Sequence, residues 1–393
     1  MHVDAALARD QTCASIVPTS SAISASTLAS FRIPEGGPYL ATHSVGCLTT
    51  AALDALHSGF VEPWSSRGGG AWEQWLRGID DFRASLALLL GGRAADYCPQ
   101  VNLSASLSAL LGSLPAPSAG RNVWIAAEDS FPSMGFVLQR AESLGYRLRL
   151  IPRAQSPSRL STWTDSMTPD VCGVLITHVF SNTGVVAPAP DIARHARHIG
   201  IRSVVDVAQS AGILPLSVET MGADVVIGSC VKWLCGGPGA GFLWMREGFA
   251  RELTPTDIGW FSHERPFEMD IHSFRYAGGA QRFWGGTPSV APYVMAAASV
   301  RLLAGVGIPA ILAHTRRLQK EFHAQLPERW RAAIPLEGIG GTLCVSCGDS
   351  ADAVERGLAA RGAHFDRRRD VLRLSFHVVN TVDQARSLAG AFE

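Results

Sequence analysis

From about residue 120 the chain alternates short, continuously apolar runs with stretches whose apolar positions recur every three or four residues. The runs predict strands over 122–127, 148–152, 171–177, 202–207, 223–228 and 241–245. The periodic stretches between them predict helices over 134–144 and 191–199, the second closed by Gly200 as a C-cap. Strands apolar at nearly every position belong in a sheet covered on both faces, so the pattern predicts an α/β fold with a mostly parallel sheet. After 285–288 the texture changes to two long helical stretches, 290–303 and 308–326, two strand candidates, 342–346 and 371–376, and a last helix, 382–392. The expected organisation is an N-terminal arm over 1–45, a large α/β domain over 46–288 and a small α+β domain over 289–393.

Composition narrows the function classes. Of 393 residues, 47% are hydrophobic and 17% charged, with 34 basic against 34 acidic and a net charge of zero. Without a basic surplus, nucleic-acid binding is not expected. The hydrophobic fraction argues against a disordered chain. No uninterrupted apolar run reaches the roughly 18 residues of a membrane span. The first thirty residues, rich in Ser, Ala and Thr, lack a basic start followed by an apolar block and read as a loose arm, not a signal peptide. The eight cysteines read mostly as small buried hydrophobes. Cys344 and Cys347 form a C-x-x-C with no second pair or nearby histidine, so no metal site is expected, and a reduced, cytoplasmic setting is.

Open α/β sheets place ligands beyond the carboxyl ends of their strands, which directs attention to the residues just after each run. Asp206 ends an apolar strand, where an unpaired carboxylate is costly. Lys232 follows the next apolar run inside a Ser/Gly-rich loop, in a chain whose only other lysine, Lys320, lies in an amphipathic helix. Desolvation turns such a lysine into a nucleophilic amine, and an acid one strand away suits a protonated ring nitrogen. An imine-forming lysine with an acid for the pyridinium is what a pyridoxal phosphate site requires. Gln209 and Asn182 stand at strand ends where either amide could reach the cofactor's phenolic oxygen. The helix expected over 102–112 opens on small hydroxyl residues, among them Ser104 and Ser106, and could cradle a phosphate or simply be a serine-rich N-cap. Phe131, before Pro132, could stack on the ring or serve as core.

The runs Val205-Asp-Val-Ala-Gln-Ser-Ala-Gly212 and Gly228-Ser-Cys-Val-Lys-Trp-Leu-Cys-Gly-Gly-Pro-Gly239 resemble the class V aminotransferase superfamily of fold-type I pyridoxal phosphate enzymes, and most closely its kynureninase-like branch. Supporting segments are Tyr39-Leu-Ala-Thr-His-Ser-Val-Gly46, Ser130-Phe-Pro-Ser133, Gly259-Trp-Phe-Ser-His263, Phe283-Trp-Gly-Gly-Thr-Pro-Ser289 and the stretch from Val371 to Thr381. The resemblance implies a seven-stranded, mostly parallel sheet with a smaller C-terminal domain. It implies that Lys232 forms the Schiff base and shuttles protons, and that Asp206 keeps the ring nitrogen protonated. It further implies Gln209 at the phenolic oxygen, Phe131 on the ring, and Ser104, Ala105 and Ser229 at the phosphate. Thr287 is implied to serve the neighbouring subunit's phosphate in a homodimer with shared sites. Trp260 and Ser44 would line the substrate space, and Arg373 would grip the substrate α-carboxylate.

Three positions depart from the kynureninase pattern: Gln209 stands where histidine is general, Val231 where tyrosine precedes the lysine, and Met134 where an acid follows Phe-Pro-Ser. These point away from kynurenine itself. The cysteine desulfurase alternative lacks its loop cysteine, since 362–370 contains none. The expected activity is a side-chain lyase, breaking C–S or C–C in an α-amino acid. A class V aminotransferase is the alternative, ahead of a desulfurase or a decarboxylating enzyme.

Overall fold

The computed structural model describes residues 23–118 and 120–393. Most of the expected arm, 1–22, and Cys13 lie outside the described residues.

Seven strands form the main sheet: β1 (Tyr97–Gln100), β2 (Val123–Ala127), β3 (Arg147–Ile151), β4 (Val171–Thr177), β5 (Arg202–Asp206), β6 (Val225–Ser229) and β7 (Gly241–Met245). Their order is β1-β7-β6-β5-β4-β2-β3. Only β7 runs against its neighbours, so the sheet is mostly parallel as expected. The two-residue period of a strand explains how continuously apolar runs serve two faces. Val123, Ile125 and Ala127 of β2 enter one core while Trp124 and Ala126 enter the other. Val205 and Val226 likewise face away from Val204 and Val225 on the neighbouring strands. One face is covered by α1 (Trp72–Leu90) and α4 (Ala189–His198), the other by α2 (Leu103–Ser113) and α3 (Pro132–Arg140).

Most expected elements sit within two or three residues of their places. The helix expected over 134–144 begins instead at Pro132, whose fixed φ suits a first helical position, and tightens into a 3-10 turn at Ala141–Leu144. Gly200 follows α4 with φ 69°, as a cap requires. The pattern missed α1 and β1. Pro99 makes β1 look unlike a strand, but β1 lies at the sheet edge, where a missing N–H is tolerated.

The second sheet contains β8 (Thr342–Ser346), β9 (Asp366–Arg368) and β10 (Val371–Ser375), with β10 central and both pairings antiparallel. Its core gathers Leu343, Leu372, Leu374 and Phe376 with Leu318 and Phe322. The latter pair comes from α6 (Ile308–Gln325). The helix before it, α5 (Ala291–Val306), buries Val300 and Leu303 with the main sheet's core and packs along α1. Core membership changes along α6, between Ile311 and Leu318, whereas the boundary expected at 289 lies ahead of α5. The stretch 31–45 is also tied in. Phe31–Arg32 pairs with Leu48–Thr49, Ala41 bridges to Ser375, and Leu40 is buried in the small core. Among the described residues, no single helix is long and apolar enough to cross a membrane.

Candidate active site

The carboxyl ends of β1, β2, β4, β5 and β6 surround a cavity of about 250 Å³. Asp206 is the last residue of β5 and Ser229 the last of β6; Lys232 follows three residues later and faces the same space. Phe131, Gln209 and Ser104 complete the expected residues that line it. Its apolar wall is Leu103, Met134, Val179 and Val231.

The Lys232 Nζ stands 5.6 Å from the centre of the Phe131 ring. Burial pulls its pKa below that of an ordinary lysine, opposed by the Asp206 charge. Burial pushes the Asp206 carboxyl up, against a hydrogen bond from the Ala208 N–H to Oδ1 at 2.8 Å and the Lys232 charge. Among the described residues no ion pair joins the two, and the Lys232 amine has no hydrogen-bond partner. The loop is held from behind by the turn carrying Gly46. The Gly46 N–H donates to the Val231 carbonyl at 2.7 Å, and a Cβ on Gly46 would lie 2.1 Å from the Lys232 carbonyl oxygen. Glycine is required there because backbone passes against backbone. Ser44 lies in this turn, half-buried and outside the cavity lining.

At the opposite end, Asn102 caps α2. Its Oδ1 accepts from the Ala105 N–H at 2.8 Å and from the Ser104 hydroxyl at 2.9 Å. Two donors expected to hold a phosphate are thus engaged by the cap, while the first backbone N–H groups of the helix remain unused by it. The Ser229 hydroxyl is 3.4 Å from the Val231 N–H and borders the cavity. Gln209 donates from Nε2 to the His43 carbonyl at 3.0 Å and accepts from the Trp233 indole at 3.1 Å, so one N–H remains for a ligand.

Besides Ser44 and Ala105, four further expected residues stand apart from this cavity. Asn182 lies in an adjoining groove and accepts from Arg368 Nη1 at 2.7 Å; Ser181, which the sequence reading passed over, lines the cavity in its place. Trp260 donates to the exposed Thr287 hydroxyl at 3.3 Å, and neither borders the Lys232 cavity. Arg373, expected to present its fork to a substrate, is 1% exposed and already occupied. Its Nε donates to Asp366 Oδ1 at 3.0 Å, its Nη2 to Asp366 Oδ2, and its Nη1 to the Ser181 carbonyl at 3.1 Å. His43 and Arg373 hold the Asp366 carboxyl far below the usual carboxylate range. His43 Nε2 is 3.8 Å from that carboxylate, so the Arg373 fork is the closer partner. Burial keeps His43 itself neutral, with its pKa lowered to about 4. Cys344 is paired across the strand with Arg373, but burial pushes its thiol up to about 12, which leaves no thiolate at neutral pH.

A buried acid with one oxygen unengaged, a desolvated amine without a partner, a 40% exposed ring and a helix start together fit pyridoxal phosphate. The acid suits a protonated ring nitrogen, the amine a carbonyl, Phe131 the ring face, and α2 the phosphate.

Residues 104–336 match the aminotransferase class-V family. Kynureninase from Deinococcus radiodurans is 32% identical over 326 residues, which covers 79% of this chain and 75% of that one. Kynureninase from Pseudomonas fluorescens is 29% identical over 276 residues, 67% of this chain; the match spans 64% of that relative's length, just under two thirds. An uncharacterized aminotransferase of Bacillus subtilis is 25% identical, with 89% of this chain and 93% of that one covered. Among solved structures, the apo cysteine desulfurase of Thermococcus onnurineus superposes with a TM-score of 0.76 at 20% identity, covering 93% and 96% of the two chains. The cystine C-S lyase C-DES, in complex with cysteine persulfide, gives 0.79 at 21% identity over 91% and 97%. These two structures establish the shared fold. With the family match covering more than half its length and the lysine, acid and helix start in place, the chain belongs to the class-V aminotransferase family and is a pyridoxal phosphate-dependent enzyme.

Proposed function

We propose that the enzyme cleaves a side-chain bond, C–S or C–C, of an α-amino acid. The observation that carries this is the Lys232 amine, desolvated and, among the described residues, without a hydrogen-bond partner beside the Phe131 ring. Such an amine is poised to take and return a proton at the substrate Cα. Bound pyridoxal phosphate supplies the electron sink that stabilises the resulting carbanion. Asp206 would hold the proton on the ring nitrogen: it is buried, and its Oδ1 accepts from the Ala208 N–H while it feels the Lys232 charge. Phe131 orients the ring by stacking, and Leu103, Val179 and Met134 exclude water from the reacting atoms. Val231 carries no hydroxyl beside Lys232 and so cannot relay the proton. The kynureninase relatives support a lyase, while Val231, Met134 and Gln209 favour a substrate other than kynurenine.

The same reading includes a homodimer in which Thr287 and Trp260 serve the neighbour's site; their distance from this chain's own cavity supports it. A reduced, cytoplasmic setting agrees with seven described cysteines that are all unpaired.

The test is to incubate purified holoenzyme with a panel of amino acids and no keto acid. Sustained release of ammonia with pyruvate, or of alanine, is expected. A single turnover that leaves the pyridoxamine form would overturn the lyase reading in favour of transamination.

A further inference from the structure

The amino ends of the parallel strands, at the opposite edge of the main sheet from Lys232, surround a second cavity of about 460 Å³. Cys172 stands near the start of β4, Arg202 opens β5, Asp224 directly precedes β6 and Arg246 directly follows β7. The volume is that of a small-molecule pocket, for which about 300–1,000 Å³ is usual. Four arginines, Arg121, Arg197, Arg202 and Arg246, line it against two carboxylates, Asp224 and Glu252.

What already holds each charge decides what the cavity can take. Asp224 is buried and spent within the chain: its Oδ1 accepts from Arg246 Nε at 3.1 Å and Nη2 at 3.0 Å, and its Oδ2 from the Ser203 N–H at 3.0 Å. Arg246 is thereby neutralised. Arg121 donates only to backbone, from Nε to the Val171 carbonyl at 3.1 Å and from Nη2 to the Ile199 and Gly200 carbonyls at 3.1 and 2.7 Å, so that it caps the end of α4. Arg197 gives Nη2 to the Ala223 carbonyl at 3.1 Å. The half-buried Arg202 guanidinium has neither a hydrogen bond nor an ion pair among the described residues. Asp170, just ahead of β4, is taken by Arg149 at 3.2 Å. One exposed carboxylate, Glu252, is left to offset three arginine charges, and it too forms no ion pair among the described residues. Burial pushes the Cys172 thiol up, and the charges of both Arg202 and Arg121 oppose it, which sets these two guanidiniums around one buried atom.

A phosphate monoester carries a charge of about −1.5 to −2 at neutral pH, which matches this surplus, and its oxygens match the planar arginine fork. We propose that this cavity is a second binding site, for a phosphorylated small molecule, with the phosphate at Arg202 and Arg121 and the apolar part of the molecule against Pro117, Tyr146 and Phe249. None of these residues borders the Lys232 cavity, so both sites can be filled at once.

The experiment uses the holoenzyme, whose own cofactor occupies the phosphate position at α2, and reads binding by titration calorimetry at low ionic strength. The probes are AMP, adenosine and inorganic phosphate. AMP should bind once per chain and leave the visible band of the cofactor unchanged. Adenosine, which lacks the phosphate, should bind at least tenfold more weakly, and inorganic phosphate more weakly than AMP. Arg202→Gln should raise the AMP Kd tenfold or more, and it should melt as the wild type does, because the guanidinium holds nothing in the fold. Arg202→Lys should keep part of the affinity, since it retains the charge and loses the fork. Inorganic phosphate that binds as tightly as AMP overturns the apolar contact and makes the site one for free phosphate. AMP that fails to bind at millimolar concentration, that disturbs the cofactor band, or that binds Arg202→Gln as it binds the wild type overturns the proposal.

Discussion

Two acid–base pairs in this molecule are built in opposite ways. Asp366 and Arg373 meet in a fork, on a strand pair of the small sheet, with a backbone carbonyl taking a further arginine proton. Asp206 and Lys232 lie close enough to feel each other's charge but do not touch, although both are buried enough to be shifted toward their neutral forms. A charge taken from water needs a partner or it shifts its pKa. The first pair has solved that problem within the chain; the second has left it unsolved until a ligand arrives. A completed pair belongs to the architecture, and the incomplete one is where we propose the cofactor is held.

The comparison can be broken most severely at Lys232. Lys232→Ala should lower turnover by roughly 10³ or more, as expected for removal of the proton-transfer group. Its apoenzyme should melt no lower than wild type, because the substitution removes an unpaired desolvated amine. A loss of both activity and fold would mean the lysine is structural. At Asp366 the cost should be stability. Asp366→Ala leaves a buried guanidinium without its carboxylate and should cost about 2–3 kcal/mol by denaturant unfolding, below the range for fully buried pairs because Asp366 retains 26% exposure.

The pH dependence of stability should have opposite signs at the two acids. Asp366 is depressed in the folded state, so its contribution is present above the ordinary value of 3.8 and is lost as pH falls below it toward the folded value. Asp206 is raised, so in the apoenzyme its contribution is present below 3.8 and is lost as pH rises through the folded value. Asp206→Asn should therefore stabilise the apoenzyme at neutral pH while weakening cofactor function. Unfolding of both apoproteins across a pH series checks the signs. The smallest effect is expected at Phe131. Phe131→Leu removes one stacking face and should weaken cofactor affinity by less than about tenfold, in line with about 0.5–1.5 kcal/mol for an aromatic pair.

The contrast also explains what the sequence could disclose. Lys232 and Asp206 were legible because each is a charge directly after an apolar run, and β4 and β7 because nearly every position in them is apolar. The helix Trp72–Leu90 carried a readable signal, since Ile79, Phe82, Leu86 and Leu90 recur at helical spacing and are all buried. The destinations of three adjacent arginines were not legible. Arg367, Arg368 and Arg369 are adjacent and alike in sequence, yet the fold sends Arg367 to Asp352 and Glu355, and Arg368 to Ser181 and Asn182 nearly two hundred residues away. Nor could the sequence show that Asp366 fills the Arg373 fork, because that pairing depends on the register of two antiparallel strands. Core membership was hidden in the same way: α5 and the start of α6 bury their apolar residues in the main sheet's core, while the rest of α6 packs into the small sheet's core.

The central claim is that the incomplete pair at Lys232 is where the cofactor is held. The chain contains only two lysines, Lys232 and Lys320, which makes the decisive measurement simple. Holoenzyme reduced with borohydride, digested and analysed by mass spectrometry should carry one pyridoxyl phosphate group per chain, on the peptide containing Lys232. A group found on Lys320, or no covalent group on either lysine, would contradict the account.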